Sequence, residues 1–514
     1  MSGPAEPATL EGRPGNRPRP AILLRGVGPM SRLGRIAAEQ LADIANIAFS
    51  DGAPAEPKRW RQALYGTALQ WWADSGAGPR LENPEPVDVT LDQHQQATGQ
   101  AGRIWCIVDA AGVPLFHPFQ ALRVCGIEPY IASLNLIESR DGGATWLLIA
   151  EAHVSSARSY SALLDVLGRT AMRLLRMALG NGGMPARPWV PQPIGPGPSR
   201  TLLGAGFASG LAWLLARIGG EVYGIAVLDR RPEEFLHDQS CPVAHWLQIP
   251  ASKGFIADPF FWPGRPDVLL CETYLHRTGL GELTLLQVDA GRIIGSEPLP
   301  LGLGCHLSYP SAWTEDGRVF CLPEMAASRR QILYELLPGM PPQPLCVIAD
   351  RIGMADPTLM KVNGLYWIAY TDIDIGTYDN LCLLHASRLE GPWSPHAGNP
   401  VKIDTRSSRP GGTPFWVGDQ LFRPTQDCSR EYGGALVINH VKVCTARAYQ
   451  ETAVAILRPD PNGAFPDGLH TLSISDGRAV IDGKRNSYHP AILGQKLRRR
   501  LVRTSGRPHT NMAH

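Results

Sequence analysis

The sequence predicts a multidomain chain of α/β plus all-β class: a small N-terminal α/β domain followed by a C-terminal five-bladed β-propeller. Three observations predict it. Pro259, Pro310, Pro357 and Pro410 open copies of one pattern, spaced by 51, 47 and 53 residues, and a period of about 50 residues is that of a four-stranded blade. Near the start, an apolar run at residues 20–24 precedes apolar residues at helical spacing over 33–49 (Leu33, Ile36, Ala37, Leu41, Ile44, Ile47), the strand-then-helix order of an α/β unit. Between the two regions, residues 183–198 are rich in proline and glycine, the composition of a linker.

Residues 1–18, rich in Pro, Gly and Arg, are expected to be disordered. The α/β domain is placed at 19–180, with further strands at 88–91, 103–108 and 145–149 and a helix over 159–178. Residues 181–220 combine the linker with an uncharged apolar stretch, 201–216. That stretch is shorter than the roughly 20 residues of a membrane span and is read as a buried or membrane-surface helix. The propeller occupies 221–487, with a partial last unit at 465–481 and the strand 222–227 placed to complete the last blade. A basic tail, 488–514, ends the chain.

Composition bounds the function. Lys plus Arg number 49 against 47 Asp plus Glu, so no global field points to nucleic acid. The local run Lys496-Leu-Arg-Arg-Arg-Leu-Val-Arg503, like the apolar stretch, offers a peripheral contact with an anionic membrane surface. Ten cysteines include no CxxC pair, and Cys271, Cys321 and Cys382 sit in apolar strand-like runs, where a thiol packs as a small hydrophobe. No metal site is assigned, and the N-terminus lacks a signal pattern, so a reducing cytoplasmic setting is expected.

In each repeat the first strand begins at the proline and the second returns antiparallel, ending on an acid beside that start. One rim therefore gathers Asp258, Glu272, Glu324, Asp356, Asp372 and Asp427, with His306, Tyr309, Arg409 and Arg423 among them. Carboxylates around a cavity suit glycosidic-bond chemistry, and the basic residues suit a phosphate or another anionic group. Acids at strand ends also serve as caps, bonding backbone N–H groups or an arginine of the next blade. Trp262, Trp313 and Trp416 are read as wedges between blades rather than sugar platforms.

The strings His306-Leu-Ser-Tyr-Pro310, Leu322-Pro-Glu324, Gly391-Pro-Trp393-Ser-Pro-His396, Arg409-Pro410, Arg423-Pro-Thr-Gln-Asp427-Cys-Ser-Arg430-Glu-Tyr-Gly433 and Gly468-Leu-His-Thr471 make residues 220–485 resemble the propeller at the N-terminus of glucosamine inositolphosphorylceramide transferases. That family is similar in fold to the five-bladed propellers of family-43 and family-32 glycoside hydrolases, which place an Asp at the first blade, an Asp at the third and a catalytic Glu at the fourth. Asp258 and Asp356 match the first two positions. The fourth repeat opens with Arg409 and has no Glu before Asp427. The first domain distantly resembles a formyltransferase-like α/β domain, in degenerate form, since Leu115-Phe-His117-Pro118 lacks the companion Asn.

The resemblance implies a carbohydrate-active protein acting on a glycan or sugar-phosphate conjugate, with glycosyl transfer preferred to family-43/32-type hydrolysis. The alternative class is a non-catalytic glycan-binding or scaffold protein that serves a partner glycosyltransferase. In the enzyme reading Asp258 is the base or charge stabiliser, Glu324 the acid and Asp356 a tuner of a neighbouring pKa. Glu272, His306, Tyr309, Arg409, Arg423 and Asp427 then hold substrate. No cofactor is expected; clustered carboxylates with His306 would permit a calcium ion.

Overall fold

The structure is a computed structural model describing residues 21–25, 32–43, 45–50, 89–91, 103–113, 131–155, 160–179, 186–192, 220–240, 245–248, 254–275, 278–475 and 477–487. The basic tail, the apolar stretch 201–216, His117 and residues 1–18 lie outside the described residues. The chain divides into two compact units, one of residues 1–106 with 138–145, the other of 107–137 with 146–514.

In the first unit, Ala21–Arg25 lies between two parallel neighbours, Asn46–Ser50 and Val89–Leu91, and Val89–Leu91 pairs in turn with the start of Arg103–Val108. The helix covers Arg32–Leu41 only. Helical spacing had extended it to residue 49, but Asn46-Ile-Ala-Phe-Ser50 is captured by the edge of Ala21–Arg25 and becomes strand. Pairing with a neighbour overrides local periodicity in so short a run.

The second unit carries the repeats. Four sheets stand by themselves: Gly254–Trp262 to Arg292–Pro298, Ser308–Glu315 to Gln343–Asp350, Phe415–Val417 to Tyr449–Arg458 with Gln239–Ser240 added, and a last sheet in which Gly220–Leu228 is zipped to Arg478–Ser487. That antiparallel pairing runs from Ala479 opposite Leu228 to Ser487 opposite Gly220, so two ends of the repeat region meet in one sheet.

The expectation of five separate blades is corrected to a propeller-like arrangement of four. The third repeat, Met354–Val362, Leu365–Asp372 and Asn380–Ala386, continues through the short strand Lys402–Asp404 into Leu147–Ser155. A three-residue edge strand leaves backbone donors and acceptors open to a further strand, and Ile403 and Asp404 pair with Ala152 and His153. Apolar clusters fill the gaps between successive sheets, for example Phe260, Val268 and Leu270 against Tyr309, Cys321 and Tyr334. Trp262 belongs to such a cluster, whereas Trp416 is exposed. All cysteines among the described residues are free thiols, Cys271, Cys321 and Cys382 being buried.

Candidate functional site

One backbone device aims the rim. Asp258, Tyr309 and Asp356, each just before its repeat's proline, have φ of 51°, 45° and 48°, and each sits where its first strand breaks register with the second. A non-glycine residue in the left-handed region costs about 1–3 kcal/mol, more than a bend in an ordinary loop would need. The cost is offset because each N–H donates to a buried carboxylate of the neighbouring sheet. Asp258 N–H donates to Asp482 Oδ2 (3.0 Å), Tyr309 N–H to Asp258 Oδ2 (3.1 Å), and Asp356 N–H to Glu324 Oε2 (3.0 Å). The rim acids therefore cap the adjoining sheets, the second of the two roles their position allows.

Asp356 is the most fully engaged. Arg409 donates through Nε to Oδ2 (2.6 Å) and through Nη2 to Oδ1 (3.3 Å), and Gln426 Nε2 adds a bond to Oδ2 (2.7 Å). Arg409 Nη1 donates to the Thr377 carbonyl (2.9 Å), and its guanidinium lies 4.9 Å from the Tyr432 ring and 5.6 Å from that of Tyr378. Such a cation between half-buried rings is held by charge and by the ring faces together.

Asp258 meets a second cluster. Thr471 Oγ1 donates to Asp258 Oδ1 (2.8 Å), His470 Nε2 is 3.5 Å from the same oxygen, and His470 Nδ1 is 2.6 Å from Asp482 Oδ2. Burial lifts the Asp258 carboxyl to about 6, opposed by His470 and reinforced by Asp482. Burial would depress His470, but Asp482 and Asp258 override it and lift the imidazole to about 9. Tyr223 stacks on His470 at 4.9 Å and Tyr432 meets it edge-on at 5.3 Å.

Glu324 and Glu272 are buried too. Burial and then the Asp356 charge push Glu324 well above the ordinary carboxyl range, against Arg409. Burial and the charges of Asp258 and Glu324 do the same to Glu272. His306 Nε2 lies 3.5 Å from Glu272 Oε1.

Other expected site residues have different settings. Tyr309 is a packing hub: its hydroxyl accepts from Gly412 N–H (2.6 Å) and lies 2.9 Å from Thr358 Oγ1. Asp427 Oδ1 accepts from Ser429 N–H (2.9 Å) in its own turn. Arg423, expected as a substrate clamp, is fully buried in a bidentate pair with Glu451 and donates to the Ser407 and Ser408 carbonyls. Four of its five N–H donors are taken by the protein, and the group is closed to solvent.

His470 and Asp482 escaped the sequence reading, although both carried a signal. His470 lies in the Gly468-Leu-His-Thr471 string, and Asp482 ends the last unit where the other repeats end on an acid. Asp258, His470 and Asp482 offer ligand atoms within 4.8 Å of one another. A calcium ion takes about 6–8 oxygen ligands, whereas this trio includes an imidazole nitrogen and oxygens already bonded to N–H and O–H donors. The set does not fit calcium, and His306 lies with Glu272 instead.

The mouth is braced from outside the repeats. In helix Tyr160–Leu179, Arg173 Nη1 donates to Asp379 Oδ2 (3.2 Å), and Asn380 Nδ2 donates to the Gly376 carbonyl (2.6 Å). This turn carries Thr377 and Tyr378, both partners of Arg409. Arg173→Ala should cost about 1 kcal/mol of stability, as for a partly exposed pair. Hydrogen exchange should speed up over 373–380 and stay unchanged in Gly254–Trp262; equal exchange across both would sink the bracing role.

Residues 240–463 match the family model described as "Glucosamine inositolphosphorylceramide transferase 1, N-terminal". The chain is similar to glucosamine inositolphosphorylceramide transferase 1 of Arabidopsis thaliana, 27% identical over 264 residues covering 47% of this chain and 34% of the relative. The protein of the same name from Oryza sativa subsp. indica is 27% identical over 254 residues, covering 46% and 34%. The chain thus spans about a third of the length of these relatives. Among solved structures, the family-117 glycoside hydrolase Zg3597 of Zobellia galactanivorans aligns with TM-score 0.31 and 10% identity, covering 54% of this chain and 92% of that one. A family-43 enzyme of Xanthomonas citri complexed with xylotriose aligns with TM-score 0.27 and 14% identity, covering 37% and 73%. The family match lies in the repeat region and gives the formyltransferase-like reading of the first domain no support.

Proposed function

We propose that the chain is a carbohydrate-active protein whose repeat region binds a sugar or sugar-phosphate conjugate, and that it transfers a glycosyl group. One observation carries the proposal: in the repeat region, of which residues 240–463 match the transferase family model, buried carboxylates, His470 and Arg409 lie against the rings of Tyr223, Tyr378 and Tyr432. Aromatic faces take the apolar side of a sugar ring, and a fixed cation among them takes an anionic group. In the same reading Asp258, ionised above about pH 6, is the base or charge stabiliser, and Asp356 sets the position of Arg409. A cytoplasmic setting goes with an intracellular activated-sugar donor.

The second reading, a glycan-binding scaffold for a partner glycosyltransferase, is favoured by the engagement of Asp258 and Asp356 in caps and ion pairs. Titration calorimetry of the full chain against nucleotide sugars, sugar phosphates and short glycans separates the two, with Tyr378→Ala alongside. Transfer predicts binding of an activated sugar, weakened about tenfold or more in Tyr378→Ala, since a base or sugar stacking contact is worth about 1–2 kcal/mol. Binding to finished glycans alone supports the scaffold. A chain that binds none of the panel would defeat both readings.

A further inference from the structure

We propose that Glu272 is the proton donor of this site and that His306 receives the carboxylate it leaves behind. The inference rests on the carbohydrate reading above and supplies the acid that the fourth repeat lacks. Asp258, Asp356, Asp482 and Glu324 each accept hydrogen bonds from named donors. Glu272 Oε1 is buried and has no hydrogen-bond partner. A buried acceptor left without a partner costs more when its group is charged than when it is neutral.

The surroundings point the same way. Asp258, Glu324, Asp482 and Asp356 all oppose a negative charge on Glu272, and His306 is the facing group that could favour one. Gly281 N–H donates to His306 Nδ1 (2.8 Å), so the neutral ring carries its hydrogen on Nε2, which lies 3.5 Å from Glu272 Oε1. Gly281 also makes room for the pair, because a Cβ there would collide with Glu272 Oε1 and His306 Cε1. Glu272 lies inside Arg265–Leu275, paired with Ala257, the residue before Asp258.

As the bond from the anomeric carbon to the leaving oxygen breaks, its electron pair stays on that oxygen, which takes the Glu272 proton. The acceptor hydroxyl forms the new bond to the anomeric carbon and gives its proton to the Asp258 carboxylate. The Glu272 carboxylate is held by His306 Nε2–H until solvent returns a proton to it and removes one from Asp258. Glu324, the acid expected from the sequence, has Oε2 bound to Asp356 N–H and 3.9 Å from Arg409, which ties it to the cap.

Infrared spectroscopy of the full chain at pH 7 reads the protonation directly, comparing the carboxylic-acid C=O band of the unaltered protein with that of Glu272→Gln, and with Glu324→Gln as reference. The isosteric Glu272→Gln should lose one acid's intensity and keep its melting temperature. An unchanged band would show Glu272 ionised and overturn the proposal, whether or not sugars bind. Aryl glycosides with good and poor leaving groups test the transfer role. Loss of a general acid should cost about 10²–10⁴-fold with the poor leaving group and far less with the good one. Equal losses, or no turnover of either glycoside by the unaltered chain, would overturn the donor role. Absence of sugar binding in the calorimetry, with the acid band intact, would instead locate the failure in the carbohydrate reading.

Discussion

Arg423→Ala should destabilise the repeat region by about 3–5 kcal/mol, the usual cost of removing one partner from a buried ion pair, and should do so with no direct effect on the mouth. The guanidinium is fully buried, with Nε 3.0 Å from Glu451 Oε2 and Nη2 2.6 Å from Oε1. Lys402 Nζ reaches the same Oε1 at 2.8 Å and Tyr449 donates its hydroxyl to Oε2 at 2.6 Å. Burial alone would raise the Glu451 carboxyl, yet Arg423 and then Lys402 hold it down at about 2. Without Arg423 the carboxylate keeps one cation but loses its bidentate partner, and the carbonyls of Ser407 and Ser408 lose a donor. For a unit of this size the loss corresponds to a fall in Tm of roughly 6–20 °C. The double variant Arg423→Met with Glu451→Gln should recover part of it, because apolar or neutral replacements of similar volume spare the desolvation cost. Calorimetric melting of the three proteins decides the matter. Arg423→Ala with an unchanged Tm and abolished ligand binding would return Arg423 to the mouth, where the sequence alone had placed it.

The misplacement of Arg423 shows where sequence reading stops. The period of the prolines, the antiparallel return of each second strand and the closing acids are local properties of the chain; Glu324 ends its strand, whereas Asp258 and Asp356 lie inside theirs, at the register breaks. Whether Arg423 faces the axis or the gap behind it depends on the ladder with Ala435–Cys444 and on Glu451, a residue 28 positions away in sequence. Nothing in the pattern around Pro424 carries that information. The left-handed φ at the three pre-proline residues was also illegible, since a residue before proline is ordinarily pushed towards extended backbone. It arises only because a carboxylate of the neighbouring sheet is present to take each N–H. The joining of the third repeat to Leu147–Ser155 was hidden for a similar reason: the strand it uses, Lys402–Asp404, is too short to leave a periodic signal. By contrast, the strand that zips to Arg478–Ser487 was legible, because residues 222–227 form an apolar strand-like run just ahead of the repeats, where the partial last unit needs a partner.

Stability should fall as the pH rises from about 6.5 to above 9, and His470 should carry the fall. Its imidazole is raised in the folded protein to about 9 from an ordinary 6.5; burial works against the cation, and Asp482 and Asp258 more than restore it. A group whose folded pKa is raised favours the folded state while protonated in both states. Its contribution is therefore complete below about 6.5, shrinks through the interval, and is gone above 9. The shift corresponds to roughly 3 kcal/mol, or about 6–12 °C in Tm. Asp258, raised to about 6, obeys the same sign in a lower window, between its ordinary 3.8 and 6, so its part is already lost before His470 begins to titrate. Melting curves at pH 6.5 and 9.5 for the unaltered chain and for His470→Gln isolate the effect. The variant should start lower and lose much less across the interval, because its amide keeps a donor near Asp482 but has no proton to release. Asp482→Asn should flatten the curve as well, by removing the charge that holds the imidazolium 2.6 Å away. Parallel falls in all three proteins would mean that other groups titrate in this range, and that the cluster joining the first and last sheets is not held by a charged histidine.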